Sequence, residues 1–513
     1  MEEKMVLRYL KVKRSIANDL VASLVVFLVA LPLCLGIALA SGVPPALGLV
    51  TGIVGGIVVG TISGSPLQVS GPAAGLAIIV WELVQERGIE MLGPVLFLAG
   101  VFQLLAGAFK LGQVFLAMSP AVIYGMLAGI GVLLFASQFH VMLDAKPHAH
   151  GLENLIAIPG SIYNSILPPE GTSHHIAAFI GLITIISFIL WNKFKPRKLQ
   201  LLPGALIAVI VATIIAHSMK LPVQYVNVPN NLAETIRIPN LENLSRLLQV
   251  PLLVDAIAIA FIASAESLLS AAAVDRIHQG PRTGFDRELV AQGFGNMVCG
   301  ILGALPMTGV IARSSVNVEA GAKTRLSAIL HGVWLLALVA AVPFVLKLIP
   351  TSSLAAILVI TGCKLVKVEN IRKLQRFGRI PVWIYFATLG GIVAGDLLIG
   401  VLIGIVLSAI KLIYKVSHLA IHFNSDENNQ QIDVYLQGTA TFVRLPQLAN
   451  VLEQIPAGKK IHFHLEMLSY IDHSCLDFLL MWQKQQEQRG STVIVQWDKL
   501  VERYHKPLVL RQS

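Results

Sequence analysis

The chain has 513 residues, 55% of them apolar and only 13% charged, with a mean hydropathy of +0.72. A soluble protein carries about 25% charge, so the composition excludes an ordinary soluble domain. The excess of 39 basic over 29 acidic residues, a net charge of +10, gathers in short loops between apolar runs; there it orients a membrane protein and is not read as a nucleic-acid surface.

In chain order, Lys4, Arg8, Lys11, Lys13 and Arg14 precede a full-length apolar span, read as a first segment and not as a cleavable leader. Runs of about 20 apolar residues mark membrane-spanning helices. Fourteen segments are predicted: 19–40, 45–63, 66–84, 92–111, 119–141, 176–194, 201–219, 252–274, 286–304, 306–321, 325–348, 352–366, 380–395 and 397–415. The third and tenth are short and interrupted by Gly, Pro or polar residues. Pro32 is expected to kink the first, and GIVGGIVVG (52–60) spaces small residues for close helix packing.

Basic residues follow the even-numbered segments, as at Lys193, Lys195 and Lys198, at Arg276, Arg282 and Arg287, and from Lys364 to Arg379. Odd-numbered loops are poorer in them. The positive-inside rule then places both termini in the cytoplasm. Cys34, Cys299, Cys363 and Cys475 are scattered and read as reduced, and His148, His150, His174 and His175 as solvated loop residues. No metal site, cofactor or nucleophile–base set is expected, so the chain is not read as an enzyme. Domains are expected at 1–416 (transmembrane), 417–431 (linker) and 432–513 (a small α/β domain).

Shifting the sequence by 240 residues sets GTISGSP (60–66) on GILGALP (300–306). Beyond Pro66 and Pro306 the helical pattern fails, in LQVSGPAAG and MTGVIARSS. Matched interruptions in the two halves of a membrane protein point to a transporter's binding site. Extended backbone leading into a half-helix leaves free N–H groups and a positive dipole end in mid-membrane, and two such ends make an anion site. Gly71 and Gly309 permit close approach to the backbone, and Ser70, Ser314 and Ser315 offer hydroxyls.

Arg313 falls at the start of the second half-helix. A central arginine costs about 2.5–3.5 kcal/mol on insertion scales, and such groups are functional by default. Glu266, inside the eighth segment, is the nearest candidate partner, either fixed in an ion pair with Arg313 or part of a polar centre for substrate and coupling ion. Ser270 lies one turn beyond it. The carboxylate and hydroxyl suit sodium, and a buried carboxylate alone suits a proton; the residues leave both open.

These stretches resemble the SulP (sulfate permease) family of anion transporters. The resemblance rests on DLVASLVVFLVALPLCLGIALASG, QVSGPAAGLA, ELVAQGFGNMVCG and RSSVNVEAGAKTRLSAILHG, with YIDHSCLDFL similar to the family's STAS domain. It implies seven plus seven segments in an inverted repeat, with segments one to four and eight to eleven as core and the rest as gate. It also implies elevator-type alternating access, a homodimer in the lipid bilayer and a bacterial inner-membrane location. By position it assigns the anion to Ser70, Gly71, Ala73 and Ala74 and to Gly309, Val310, Ile311, Arg313 and Ser314, and cation coupling to Glu266 with Ser270. Sodium-coupled cyanobacterial members usually carry aspartate at the Glu266 position and a threonine near Ile311. The pattern here looks closer to bacterial relatives associated with carbonic anhydrase, which favours bicarbonate over sulfate or chloride. Asp472, His473, Ser474 and Cys475 stand where some relatives are phosphorylated, with one serine and the glycine replaced. The alternatives are an anion exchanger, a passive anion channel, a nucleobase carrier of related fold and a signalling protein acting through its tail.

Overall fold

The computed structural model describes residues 2–495 apart from 114–118, 149, 168–172, 197, 198, 200, 201, 230, 231, 241, 242, 244, 245, 248, 342 and 426–429. The chain divides into two compact units at Ile405/Val406.

In the first unit, α1 (Glu2–Ala40) runs on as one helix through Pro32, where a kink is expected from the sequence. Next, α2 (Pro45–Ile62) starts with proline in its first turn and contains a π-turn at Gly55–Val59. The third segment is broken: β1 (Ser70–Pro72) leads through a 3-10 turn at Ala74–Leu76 into α3 (Ala77–Arg87). Then come α4 (Leu92–Ala108), α5 (Pro120–Met142), α6 (Gly151–Ile166), α7 (His174–Phe194), α8 (Gly204–Ser218), α9 (Val250–Ile277) and α10 (Phe285–Ile301). The tenth segment is broken like the third, with β2 (Met307–Gly309) leading into α11 (Ile311–Glu319). The rest of the unit is α12 (Leu326–Ala341), α13 (Thr351–Leu365), α14 (Val368–Gln375), α15 (Arg379–Ala394) and the start of α16 (Leu397–Val416).

Each of the fourteen expected segments has its counterpart. Two further helices, α6 and α14, are amphipathic and therefore escape a search for apolar runs. Among the described residues eight helices are long and apolar enough to cross a membrane, and α8, α12 and α15 are shorter apolar helices.

Backbones approach closely where small residues recur. Gly93, Gly100 and Gly107 of α4 stand seven apart, a spacing that keeps them on one helix face. A methyl group at Gly100 would lie 2.6 Å from the Met297 nitrogen of α10, and one at Gly93 2.7 Å from the Gly300 oxygen. Gly293 and Gly300 of α10 return the contact: a methyl group on either would lie 2.5 Å from a backbone nitrogen of α4. The same holds for α2 against α12, where a methyl at Gly56 would meet the Gly332 Cα at 2.6 Å.

Beyond the end of α16, the described residues of the second unit carry a five-stranded sheet with two helices. Its elements are β3 (Leu419–Ser425), β4 (Gln431–Ala440), α17 (Leu445–Leu452), β5 (Lys460–His464), β6 (Leu468–Ile471), α18 (His473–Gln488) and β7 (Thr492–Val495). The strand order is β3-β4-β5-β7 with β6 beside β4; β3–β4 is antiparallel and the other pairs are parallel. Val434, Leu436, Ile461 and Phe463 bury one sheet face together with Leu479 and Trp482. The expected linker 417–431 therefore contains a strand, with Leu419 buried in the core and Ile421 packed against it. Asp472 caps α18 by accepting the Cys475 N–H at 2.9 Å and the Phe442 N–H. Its desolvation works against ionisation, but these donated hydrogen bonds outweigh that and hold the carboxyl below its ordinary value.

Gly100→Leu should force α4 off α10. The expected result is a fall in melting temperature of the detergent-purified protein, or loss of monodisperse material, in line with an overpacking cost of about 1–3 kcal/mol or more. Leu98→Ala, on a half-buried position of α4, is the mild control.

Candidate functional site

The two interrupted segments meet. β1 and β2 pair antiparallel, with Ser70 opposite Gly309, Gly71 opposite Thr308 and Pro72 opposite Met307. The repeat offset of 240 at Pro66/Pro306 drops to 237 at the strands, which begin at Ser70 and Met307. Equivalent strands running antiparallel are what a two-fold axis in the membrane plane produces.

A two-stranded ribbon leaves its outer backbone groups unpaired, which hydrocarbon does not tolerate. Side chains from distant parts of the sequence supply the partners. Asn296 of α10 accepts the Met307 N–H at 2.8 Å and donates to the Met307 carbonyl at 3.1 Å, standing in for a third strand. Ser267 of α9 accepts the Gly309 N–H at 3.1 Å. Asn317 donates to the Leu67 carbonyl at 2.9 Å, and Thr51 of α2 both accepts from and donates to Leu305. Ser314 accepts the Val69 N–H at 2.9 Å and donates to the Val310 carbonyl at 2.7 Å, while the Val310 N–H donates to the Val69 carbonyl at 3.0 Å.

Strand alternation gives the ribbon two chemically different faces. On the first, the Arg313 guanidinium lies against Gly71, so close that a methyl group there would collide with it. Arg313 is fully buried, and none of its three nitrogens has a hydrogen-bond partner. On the same face Thr308, opposite Gly71, donates to Glu266 Oε2 at 3.4 Å. The other carboxylate oxygen of Glu266 rests against Gly75, in the turn that starts α3, again with no room for a side chain. A cation and an acid thus flank one cross-strand pair. Among the described residues Arg313 is absent from every ion pair, so the fixed Glu266–Arg313 bridge does not form.

The second face belongs to α10. Gln292 donates to the Ser70 hydroxyl at 2.7 Å and to Glu288 at 2.8 Å, and the other Glu288 oxygen accepts from Ser63 at 2.5 Å and from the Ser65 N–H at 3.0 Å. Met307 packs over Gly295 on this side.

The expected anion residues therefore divide. Gly71, Arg313 and Glu266 share the first face. Ser70 turns toward α10, and Gly309 is covered by the Gln68 amide. Ala73 is buried, Ala74 half-buried, and Val310 caps α11. The Ser314 hydroxyl is occupied at both its donor and its acceptor. Ser270 is fully buried and its hydroxyl has no partner.

A cavity of about 1030 Å³ reaches α11 from the side of the basic loops. It is walled by α1, α5, α7, α8 and α13, with Lys195, Lys364 and Lys367 in its lining. From α11 it meets Ile311, Ala312, Ser315, Val316 and Glu319, the face opposite Arg313, Ser314 and Asn317. The first N–H groups of a helix have no partner within it, so those of Ile311 and Ala312 mark the positive end next to this cavity. Ser315, not Ser314, turns its side toward the space.

Sequence reasoning missed Gly75, Thr308, Gln292 and Asn296. The signal for the last two was present: Glu288, Gln292 and Asn296 recur at four-residue spacing in a helix that carries no other charged or amide side chain after Arg287, which puts three polar groups on one face.

The fold and this ribbon define a polytopic membrane protein whose polar centre is built from two opposed half-helices. Residues 16–388 match the model of the "Sulfate permease family", and the chain belongs to that family. It is 32% identical over 69% of its length to a putative sulfate transporter of Bacillus subtilis, covering 65% of that protein. It is 24% identical to a bicarbonate transporter of Picosynechococcus over 69% of its length, covering 63% of that protein. The chain thus spans just under two thirds of the length of both. Among solved structures it resembles the transmembrane domain of a cyanobacterium bicarbonate transporter (TM-score 0.60, 22% identity, 77% of this chain and 97% of that one). It also resembles murine Slc26a9, described as an anion transporter in the inward-facing state (TM-score 0.78, 15% identity, 94% and 85%). The C-terminal α/β unit, with its five-stranded sheet and two helices among the described residues, is consistent with the STAS domain that the resemblance implies.

Ser314→Ala should destabilise the fold, because it strands the buried Val69 N–H at a cost of about 1–3 kcal/mol. Thermal denaturation in detergent measures this, and the anion affinity of the surviving folded protein should change little.

Proposed function

We propose that the protein is a secondary active transporter of a small inorganic anion. The observation that carries the reading is Arg313, fully buried against Gly71 with no hydrogen-bond partner on any nitrogen. An uncompensated buried guanidinium costs several kcal/mol. An anion seated at the start of α11, by the Ile311 and Ala312 N–H groups, is attracted by the helix dipole and by the fixed charge behind it. Arg313 acts there through its field, since the cavity meets the other face of α11.

By the positive-inside rule the loops bearing Lys195, Lys364 and Lys367 are cytoplasmic, as are both termini, and the cavity is then open to the cytoplasm of a bacterial plasma membrane. The anion leaves or enters between the core, with the two half-helices, and the gate of segments five to seven and twelve to fourteen, of which α5, α7, α8 and α13 line the cavity. Movement of core against gate in a homodimer follows the elevator scheme. Bicarbonate is the favoured substrate, ahead of sulfate and chloride. The resemblance to bicarbonate carriers supports it.

Glu266 supplies the coupling. Its carboxylate rests by Gly75 at the positive end of the first half-helix, so ionised Glu266 and the transported anion draw on the same positive end. A proton on Glu266 removes the competition, and proton and anion then bind and move together. Sodium is the second reading, carried by the unpartnered Ser270 hydroxyl one turn along α9. Uptake driven uphill by a cation gradient separates both readings from an exchanger or a passive channel.

In proteoliposomes with labelled bicarbonate, sulfate and chloride, Arg313→Ala should cut uptake by about tenfold, the attraction of a unit charge about 10 Å away at an effective dielectric of about 20. Uptake near the wild-type rate would remove Arg313 from the site. Glu266→Gln should give uptake that no longer responds to a proton gradient. A retained pH response makes Glu266 structural, and a lost sodium response favours the second reading.

A further inference from the structure

The polar ladder on α10 holds no place in the transport reading above, yet it bonds to both strands of the ribbon, at Ser70 and Met307. We propose that Gln292 and Asn296 are positioning residues of the anion site, acting through Ser70 and Met307. The inference rests on the transport reading for its effect on affinity, but not for its effect on the backbone.

Three polar side chains, Glu288, Gln292 and Asn296, are fully buried on one face of a helix. Each grips a different point of the two interrupted segments. Glu288 holds the Ser63–Ser65 turn that feeds β1, Gln292 holds Ser70 in β1, and Asn296 holds both backbone groups of Met307 in β2. The orientation of each amide is fixed by its partners. The Gln292 NH2 spends both hydrogens, on Glu288 and on Ser70. The Asn296 NH2 also serves Gln103 of α4 at 2.7 Å, and Gln103 in turn donates to Ser264 of α9 at 3.2 Å. Turning either amide over would set donor against donor or acceptor against acceptor.

The ribbon has only three residues per strand, too few to fix its own depth or twist. The ladder supplies that missing constraint. It ties both strands to α10, which the seven-residue glycine stripe already locks to α4. The separation of the two half-helix starts, and so the seat of the anion, is then set from behind the ribbon. Neither Gln292 nor Asn296 lines the cavity, so they reach the anion only through the backbone they hold.

The test uses the full-length protein and the variants Gln292→Met, Asn296→Asp, Ser70→Ala and Ser70→Ala/Gln292→Met. Gln292→Met keeps the side-chain length and loses both donations; Asn296→Asp keeps the acceptor for Met307 and loses the donors. Hydrogen–deuterium exchange of peptides covering 67–72 and 306–311 is read first. Exchange there should rise about tenfold, the loss of about one hydrogen bond, with α5 and α13 unchanged. Uptake of bicarbonate, sulfate and chloride is read second: apparent KM should rise about tenfold with Vmax held within about twofold. The double variant should be no worse than Gln292→Met alone, because both changes cut the same link. Unchanged exchange at the two strands overturns the proposal. So does a rise in KM for Ser70→Ala that Gln292→Met does not share, since that would make Ser70 a direct anion contact. Faster strand exchange in a protein whose wild type moves none of the three anions supports the ladder and sinks the transport reading.

Discussion

A peptide group in hydrocarbon must find a hydrogen-bond partner inside the protein. Every other feature of this site follows from that demand. Two segments give up helix in mid-membrane, at Ser70–Pro72 and Met307–Gly309, and pair with each other. Pairing satisfies only the inner edges. The outer edge of β2 recruits Ser267 and Asn296, and the chain leading into the two strands recruits Thr51, Ser314 and Asn317 at Leu305, Val69 and Leu67. The density of buried polar side chains here is thus first a matter of backbone accounting, and only afterwards of ligand chemistry.

What the break gains is a pair of opposed helix starts and one face free of structural duties. Gly71 and Gly75 make room on that face for a guanidinium and a carboxylate, which flank the Gly71–Thr308 pair without joining. Had Arg313 and Glu266 bridged, the site would be neutral and closed. Kept apart, they present a positive centre and a titratable neighbour. The division of labour between Ser314 and Ser315 shows the same economy: one seals the strand junction, and the next residue faces the cavity.

Much of this could be read from the sequence. Hydropathy located the fourteen segments, because spanning helices must be long and apolar. Gly60, Pro66, Gly300 and Pro306 marked the two breaks, because those residue types punctuate helices. Arg313 and Glu266 stood out because charge in an apolar run is costly. The faces of the ribbon were hidden. A three-residue strand has no period of its own to display, and which side Ser70 takes depends on pairing with a strand 237 residues away. The helices α6 and α14 escaped because they are amphipathic. The strand β3 escaped because its alternation in LAIHFNS runs into the polar stretch SDENNQQ. Gln292 and Asn296 were visible as letters, but their targets, Ser70 and Met307, lie in other segments.

The central claim is that the anion sits at the start of α11, on the cavity side, with Arg313 behind it. The most direct measurement is an anomalous-scattering map of the protein with a heavy halide or selenate at saturating concentration. The account predicts one strong peak within hydrogen-bond reach of the Ile311 and Ala312 N–H groups. Density confined to the lysine-bearing mouth of the cavity, with the start of α11 bare in a protein that still transports the ion, would contradict it.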